Sequence, residues 1–94
     1  MPIGSATVEL EIPASKSLKD KRRVVKSIIA RLRQRYNLSV AEVDTLEDWH
    51  RATIVLVTVA NDANRVHSQL EKAMDSLETW RLDCIIAAYA IEIW

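Results

Sequence analysis

The apolar residues of this chain follow two spacings, every second residue or every three to four, and the order of those spacings leaves few folds open. Ala6, Val8, Leu10 and Ile12 alternate with Thr7, Glu9 and Glu11, the pattern of a half-buried strand, and Pro13 ends it. Ser15 or Ser17 then offers a helix N-cap, with Asp20 three residues after Ser17 in the spacing of a capping box. Leu18, Val25, Ile29, Leu32 and Tyr36, flanked by Val24 and Ile28, form a helical stripe. Asn37 is placed to end that helix in the left-handed conformation. Leu38 to Val43 reads as a short strand, Asp44 to Asp48 as a hairpin loop, and Arg51 to Ala60 as a long strand. Asn61-Asp62 caps a second helix with the stripe Val66, Leu70, Ala73, Met74 and Leu77. Leu82 to Trp94 closes the chain as a strand with Ile85, Ala87, Tyr89, Ile91 and Ile93 on one face.

Strand, helix, strand, strand, helix, strand is the α+β, ferredoxin-like βαββαβ pattern. It implies a four-stranded antiparallel sheet of order 4-1-3-2 with two helices on one face. The 94 residues suit one domain, 1–94, and with 49% apolar side chains they suffice for a core without staples. Three connections then gather at one edge of the sheet: the loop entering the first helix, the 44–50 hairpin, and the loop from Trp80 to Asp83.

The lone Cys84 has no disulfide partner, which fits a reducing compartment. The first residues lack the basic start and apolar run of a signal peptide. No stretch approaches the roughly 18 apolar residues of a membrane span. The expected location is the cytoplasm, with no membrane contact.

A net charge of zero conceals a polarised molecule. Residues 1–36 carry nine basic and three acidic side chains, and the remainder four basic and ten acidic. Five of the positive charges crowd into Lys16-Ser17-Leu18-Lys19-Asp20-Lys21-Arg22-Arg23. On a helix, Lys19, Arg22, Arg23, Lys26 and Arg33 fall within an arc of about 100° opposite the apolar stripe. Basic residues in the first turns oppose the helix dipole by roughly 0.3–1 kcal/mol each. Cations there, together with free backbone N–H groups, suit an anion of some extent, such as a nucleic-acid backbone. The candidate anion or RNA ligands are Lys16, Ser17, Lys19, Lys21, Arg22, Arg23, Lys26 and Arg33. Exchanging Lys21, Arg22 and Arg23 for Glu is expected to spare the fold. A solvated polar face, or an acidic protein partner on the same patch, explains the charges equally simply. Asp44, Glu47 and Asp48 of the hairpin are also placed to neutralise the patch internally.

Other constellations carry less. Base stacking on a sheet of this topology needs aromatic residues on the central strands, and the chain has no Phe. The open sheet face is expected to show Glu9, Glu11 and Glu92. With Gly4 as the only glycine, Pro13-Ala14-Ser15-Lys16 is no phosphate-cradling loop. Asp44, Glu47, Asp48 and His50 match no metal-ligand spacing. No metal, cofactor or catalytic group is expected, although a small-anion binder or enzyme using the 44–51 edge is a minor alternative. His67 reads as surface, Cys84 as a packed thiol, Trp49 as a lid on the hairpin, and Trp80 as a plug at the end of the second helix.

The long central strand, Thr53-Ile54-Val55-Leu56-Val57-Thr58-Val59, is apolar on both alternations. Helices on one face leave the other uncovered, and such a run implies burial on both sides. Val55, Val57, Val59, Ala90 and Trp94, with Ile86 and Ala88, are therefore the expected interface of a homodimer formed through the sheet. Glu9, Glu11 and Glu92 oppose that contact unless they lie at its rim.

The run Ser17-Leu18-Lys19-Asp20-Lys21-Arg22-Arg23, the run from Arg35 to Asp44, Trp49-His50-Arg51-Ala52 and the closing Ile91-Glu92-Ile93 resemble the bacterial YlxP-like family over nearly the whole chain. The resemblance implies a ferredoxin-like fold. The family's activity is unknown. Its members often sit in gene clusters with translation initiation and ribosome-maturation factors, which implies an RNA- or ribosome-associated accessory role.

Overall fold

In the computed structural model, which describes residues 2–80 and 83–94, the elements are β1 (Ile3–Glu11), α1 (Leu18–Arg35), β2 (Ser39–Val43), β3 (Arg51–Val59), α2 (Ala63–Thr79) and β4 (Ile85–Ile93). The sheet order is β2-β3-β1-β4, all antiparallel, which is the expected 4-1-3-2 arrangement read from the other edge. The expected start of the last strand at Leu82, and part of the loop from Trp80 to Asp83, lie outside the described residues.

One face of the sheet meets both helices. Ala6, Val8 and Leu10 of β1, Ala52, Ile54 and Leu56 of β3 and Val40 of β2 pack there with Val25, Ile28 and Leu32 of α1. Val66, Leu70, Ala73, Met74 and Leu77 of α2 complete the core. Gly4 lets α2 approach β1, since a Cβ at that position would overlap Val66 Cγ1 and stand 3.0 Å from Leu70 Cδ1. Among the described residues no helix is long and apolar enough to cross a membrane.

Ser17 is the N-cap of α1, its Oγ accepting the Asp20 N–H at 3.1 Å. The Asp20 carboxylate reaches back to the Lys16 N–H at 3.1 Å, so the reciprocal bond of a capping box falls one residue early. The C-terminal end of α1 differs from expectation. Tyr36 ends the helix in extended backbone, and Asn37 is not left-handed. The Asn37 carbonyl instead accepts Thr58 Oγ1 at 3.1 Å. Asp44, at φ 65°, is the left-handed non-glycine position among the described residues, where the β2–β3 hairpin turns.

The last strand corrects a second expectation. Glu9 pairs with Ala88 but Leu10 with Ile86, so Ala87 is an extra residue at a β-bulge. The bulge reverses the strand's phase. Ile86, not Ile85 or Ala87, lies with Tyr89, Ile91 and Ile93 on the helix side, and Ile86 packs against the core. Ile85 is turned to the open face and is 57% exposed. Ile86 accordingly leaves the set expected on the open face. Trp49 is also not a lid: half of it is exposed. Trp80 does close the end of α2, packed on the core with the Arg31 guanidinium 5.8 Å from its ring centre.

Candidate functional site

The first two turns of α1 divide their charges between two environments. Lys19, Arg22, Arg23 and Lys26 are exposed, as is Lys16 just before the helix. Among the described residues none of the five takes part in an ion pair. Lys21 is the exception to the expected patch, because its side chain is fully buried. Its Nζ donates to Glu42 Oε2 at 2.5 Å and to the Thr45 carbonyl at 2.7 Å, with the Arg51 carbonyl at 3.5 Å. Lys21 thus fills the base of the β2–β3 hairpin and does not offer its charge to solvent. A signal for this was present: Lys21, Val25, Ile28 and Leu32 are spaced four, three and four apart, which places the lysine on the buried stripe.

Two further candidates have other partners. Ser17 spends its hydroxyl on the cap, and the Asp20 carboxylate stands in the same turn, so fewer helix N–H groups remain for an anion than the bare sequence suggests. Arg33 donates from Nη2 to the Val40 carbonyl at 3.0 Å. It lies two turns beyond Lys26, about 10 Å along the axis, and is separate from the cluster.

The hairpin acids do not neutralise the cluster. Asp48 Oδ1 accepts the N–H groups of His50 at 2.9 Å and Arg51 at 3.1 Å. The His50 bond above all holds its carboxyl below the ordinary aspartate range. Glu42, and not Asp44, Glu47 or Asp48, makes the ion pair, and Thr45 braces it by donating to Oε2 at 2.8 Å while accepting the Thr53 N–H at 2.9 Å.

Between α1 and the hairpin runs a groove of about 520 Å³. Val25, Ile29 and Leu46 contribute its apolar surface, and Lys19, Arg22, Arg23 and Lys26 rim it. Leu46 is 56% exposed although it is apolar and flanked by polar hairpin residues. The groove is absent from a reading of the charges alone; the sign of it is that one leucine among the acids.

The model of the family described as "Protein of unknown function (DUF503)" matches residues 3–90. The chain belongs to the DUF503 family. It is 27% identical over 78 residues to the uncharacterized protein YlxP of Bacillus subtilis (strain 168), covering 83% of this chain and 85% of that one. It is also similar, at 10% identity and a TM-score of 0.43, to a solved structure of a REP-associated tyrosine transposase bound to a REP hairpin. That comparison covers 98% of this chain, which spans 55% of the transposase chain. At that TM-score the two share too little backbone to inform fold or function.

The open sheet face of this DUF503 chain carries no aromatic side chain on β1 or β3. It shows Ser5, Thr7, Glu9 and Glu11 beside Thr53, Val55, Val57 and Val59. His67 is exposed with its Nε2 3.7 Å from Glu71 Oε1. Cys84 is half-buried, and burial, with Asp83 nearby, pushes its thiol pKa up.

Proposed function

We propose that this DUF503 domain is a non-catalytic binding module that docks RNA, as part of the ribosome or alone, through the basic start of α1. The observation that carries this reading is the cluster of four exposed cations, Lys19, Arg22, Arg23 and Lys26, in slightly more than two helical turns with no carboxylate among the described residues paired to them. Like charges held that close repel, and a polyanion relieves the repulsion while releasing its own counterions. Lys16 extends the cluster beyond the helix start. The side chains contact phosphates and not base edges, so binding follows backbone shape more than sequence. The domain acts in the cytoplasm, where such RNA is found.

The apolar floor of the groove favours a second reading, an acidic protein segment with one or two apolar side chains seated on Val25, Ile29 and Leu46. The two readings separate on Leu46. Binding of duplex RNA and of purified 30S subunits is measured for wild type, for Lys19→Glu with Arg22→Glu and Arg23→Glu, and for Leu46→Asp. RNA docking predicts that the triple variant loses binding and that Leu46→Asp weakens it only slightly. Undiminished RNA binding by the triple variant overturns the proposal.

A further inference from the structure

We propose that the open face of the sheet binds a second copy of this chain, about a two-fold axis running parallel to the strands between β1 and β3. Among the described residues nothing covers this face, and a band of exposed apolar side chains runs across its Val59 end and along β3. Val57 is 37% exposed, Ile3 40%, Val59 52%, Ile85 57% and Trp94 67%. Three strands of nine residues and one of five give a flat footprint of about 500 Å². Side-chain relief raises that toward the roughly 800 Å² per partner of a standard stable interface.

Charge decides between the two axes available to a face-to-face pair. An axis along the strands carries each β3 residue over the β1 residue with which it already pairs in register. Arg51 then faces the second copy's Glu11, and the contact occurs twice by symmetry. In the rows between, Val57 meets Ser5 and Val55 meets Thr7, a larger side chain over a smaller one each time, and Val59 meets Ile3. On the outer strands Ala41 meets Ala90, and Glu92 meets Ser39 at the solvated rim. Glu9 falls over Thr53, the same residue type whose hydroxyl it accepts at 2.8 Å within the chain. Strands stay near-parallel between the two sheets, as in aligned sandwiches.

An axis across the strands instead sets Arg51 and Glu11 against the end of the face built by Val59, Ile3 and Trp94. That buries unpaired charge against apolar side chains. The carboxylates that oppose association in one orientation are therefore the groups that select the other. The helices, and with them the basic start of α1, remain on the outside of the pair, so dimerisation and RNA docking stand or fall separately.

Sedimentation velocity of the full chain across the micromolar range tests this. The wild type runs as a dimer. Glu11→Arg and Arg51→Glu each raise the dimer dissociation constant at least about tenfold, and the double exchange restores it. Val57→Lys weakens the dimer without touching either charge, and circular dichroism establishes that each variant is folded. A wild type that stays monomeric, or a double variant as weak as either single one, overturns the proposal.

Discussion

The ammonium of Lys21 lies 2.5 Å from Glu42 Oε2, with the lysine side chain 0% and the glutamate side chain 7% exposed. This contact ties the basic end of α1 to the base of the β2–β3 hairpin, and it sets the lysine apart from the four cations around it. Removing one member of a buried pair leaves the other charged and unsolvated, at a cost of about 3–5 kcal/mol. Lys21→Met is expected to lose that much in urea unfolding, whereas Arg22→Glu is expected to stay within about 0.5 kcal/mol of wild type. The triple exchange of Lys21, Arg22 and Arg23 for Glu, harmless on the sequence alone, is therefore expected to destabilise the domain by at least that much, because it sets a second carboxylate against Glu42. A Lys21→Met variant as stable as Arg22→Glu would show that the pair is not a structural tie.

Gly4 sits where α2 crosses β1, and an added methyl group meets Val66 and Leu70. Both are fully buried, so neither has room to yield. Gly4→Ala is expected to cost about 1–3 kcal/mol through overpacking, read as a lower melting temperature. An unchanged or raised melting temperature would mean that α2 shifts freely on the sheet.

What the sequence made legible follows from where each pattern is local. β1 and α2 carry their burial in their own period, so Ala6, Val8 and Leu10 or Val66, Leu70 and Leu77 can be placed without knowing what covers them, whereas β3 is apolar on both alternations and only the helices decide that Ile54 and Leu56 are its buried side. β4 cannot, because a single bulge residue, Ala87, turns Ile85 outward and Ile86 inward, and nothing in an apolar run marks which residue is extra. The basic cluster was legible as composition. Its division was not, because Glu42 lies 21 residues from Lys21 and only the fold brings them together. The groove beside Leu46 depends equally on α1 and the hairpin.

Asp48 gives the hairpin a defined response to acid. Its carboxylate accepts two backbone N–H groups, chiefly that of His50, and its pKa is lowered from the ordinary value of 3.8. A depressed folded pKa means that the stabilisation is fully present above the unfolded value and is lost as pH falls through the folded one. In an NMR titration the His50 and Arg51 amide shifts are expected to follow the Asp48 carboxyl with a midpoint below 3.8. A midpoint at or above that value would show that the turn does not depend on the carboxylate.

The central claim is that exposed cations at the start of α1 dock an RNA backbone, and its most direct test is the salt dependence of duplex-RNA binding. Four or five phosphate contacts predict a linear fall of log K with log salt, with a slope of about −3.5 to −4.5. Lys19→Glu with Arg22→Glu and Arg23→Glu, which leaves Lys21 and the fold in place, is expected to remove most of that slope along with the affinity. A wild-type slope near zero, or a triple variant with the wild-type slope, would contradict the account.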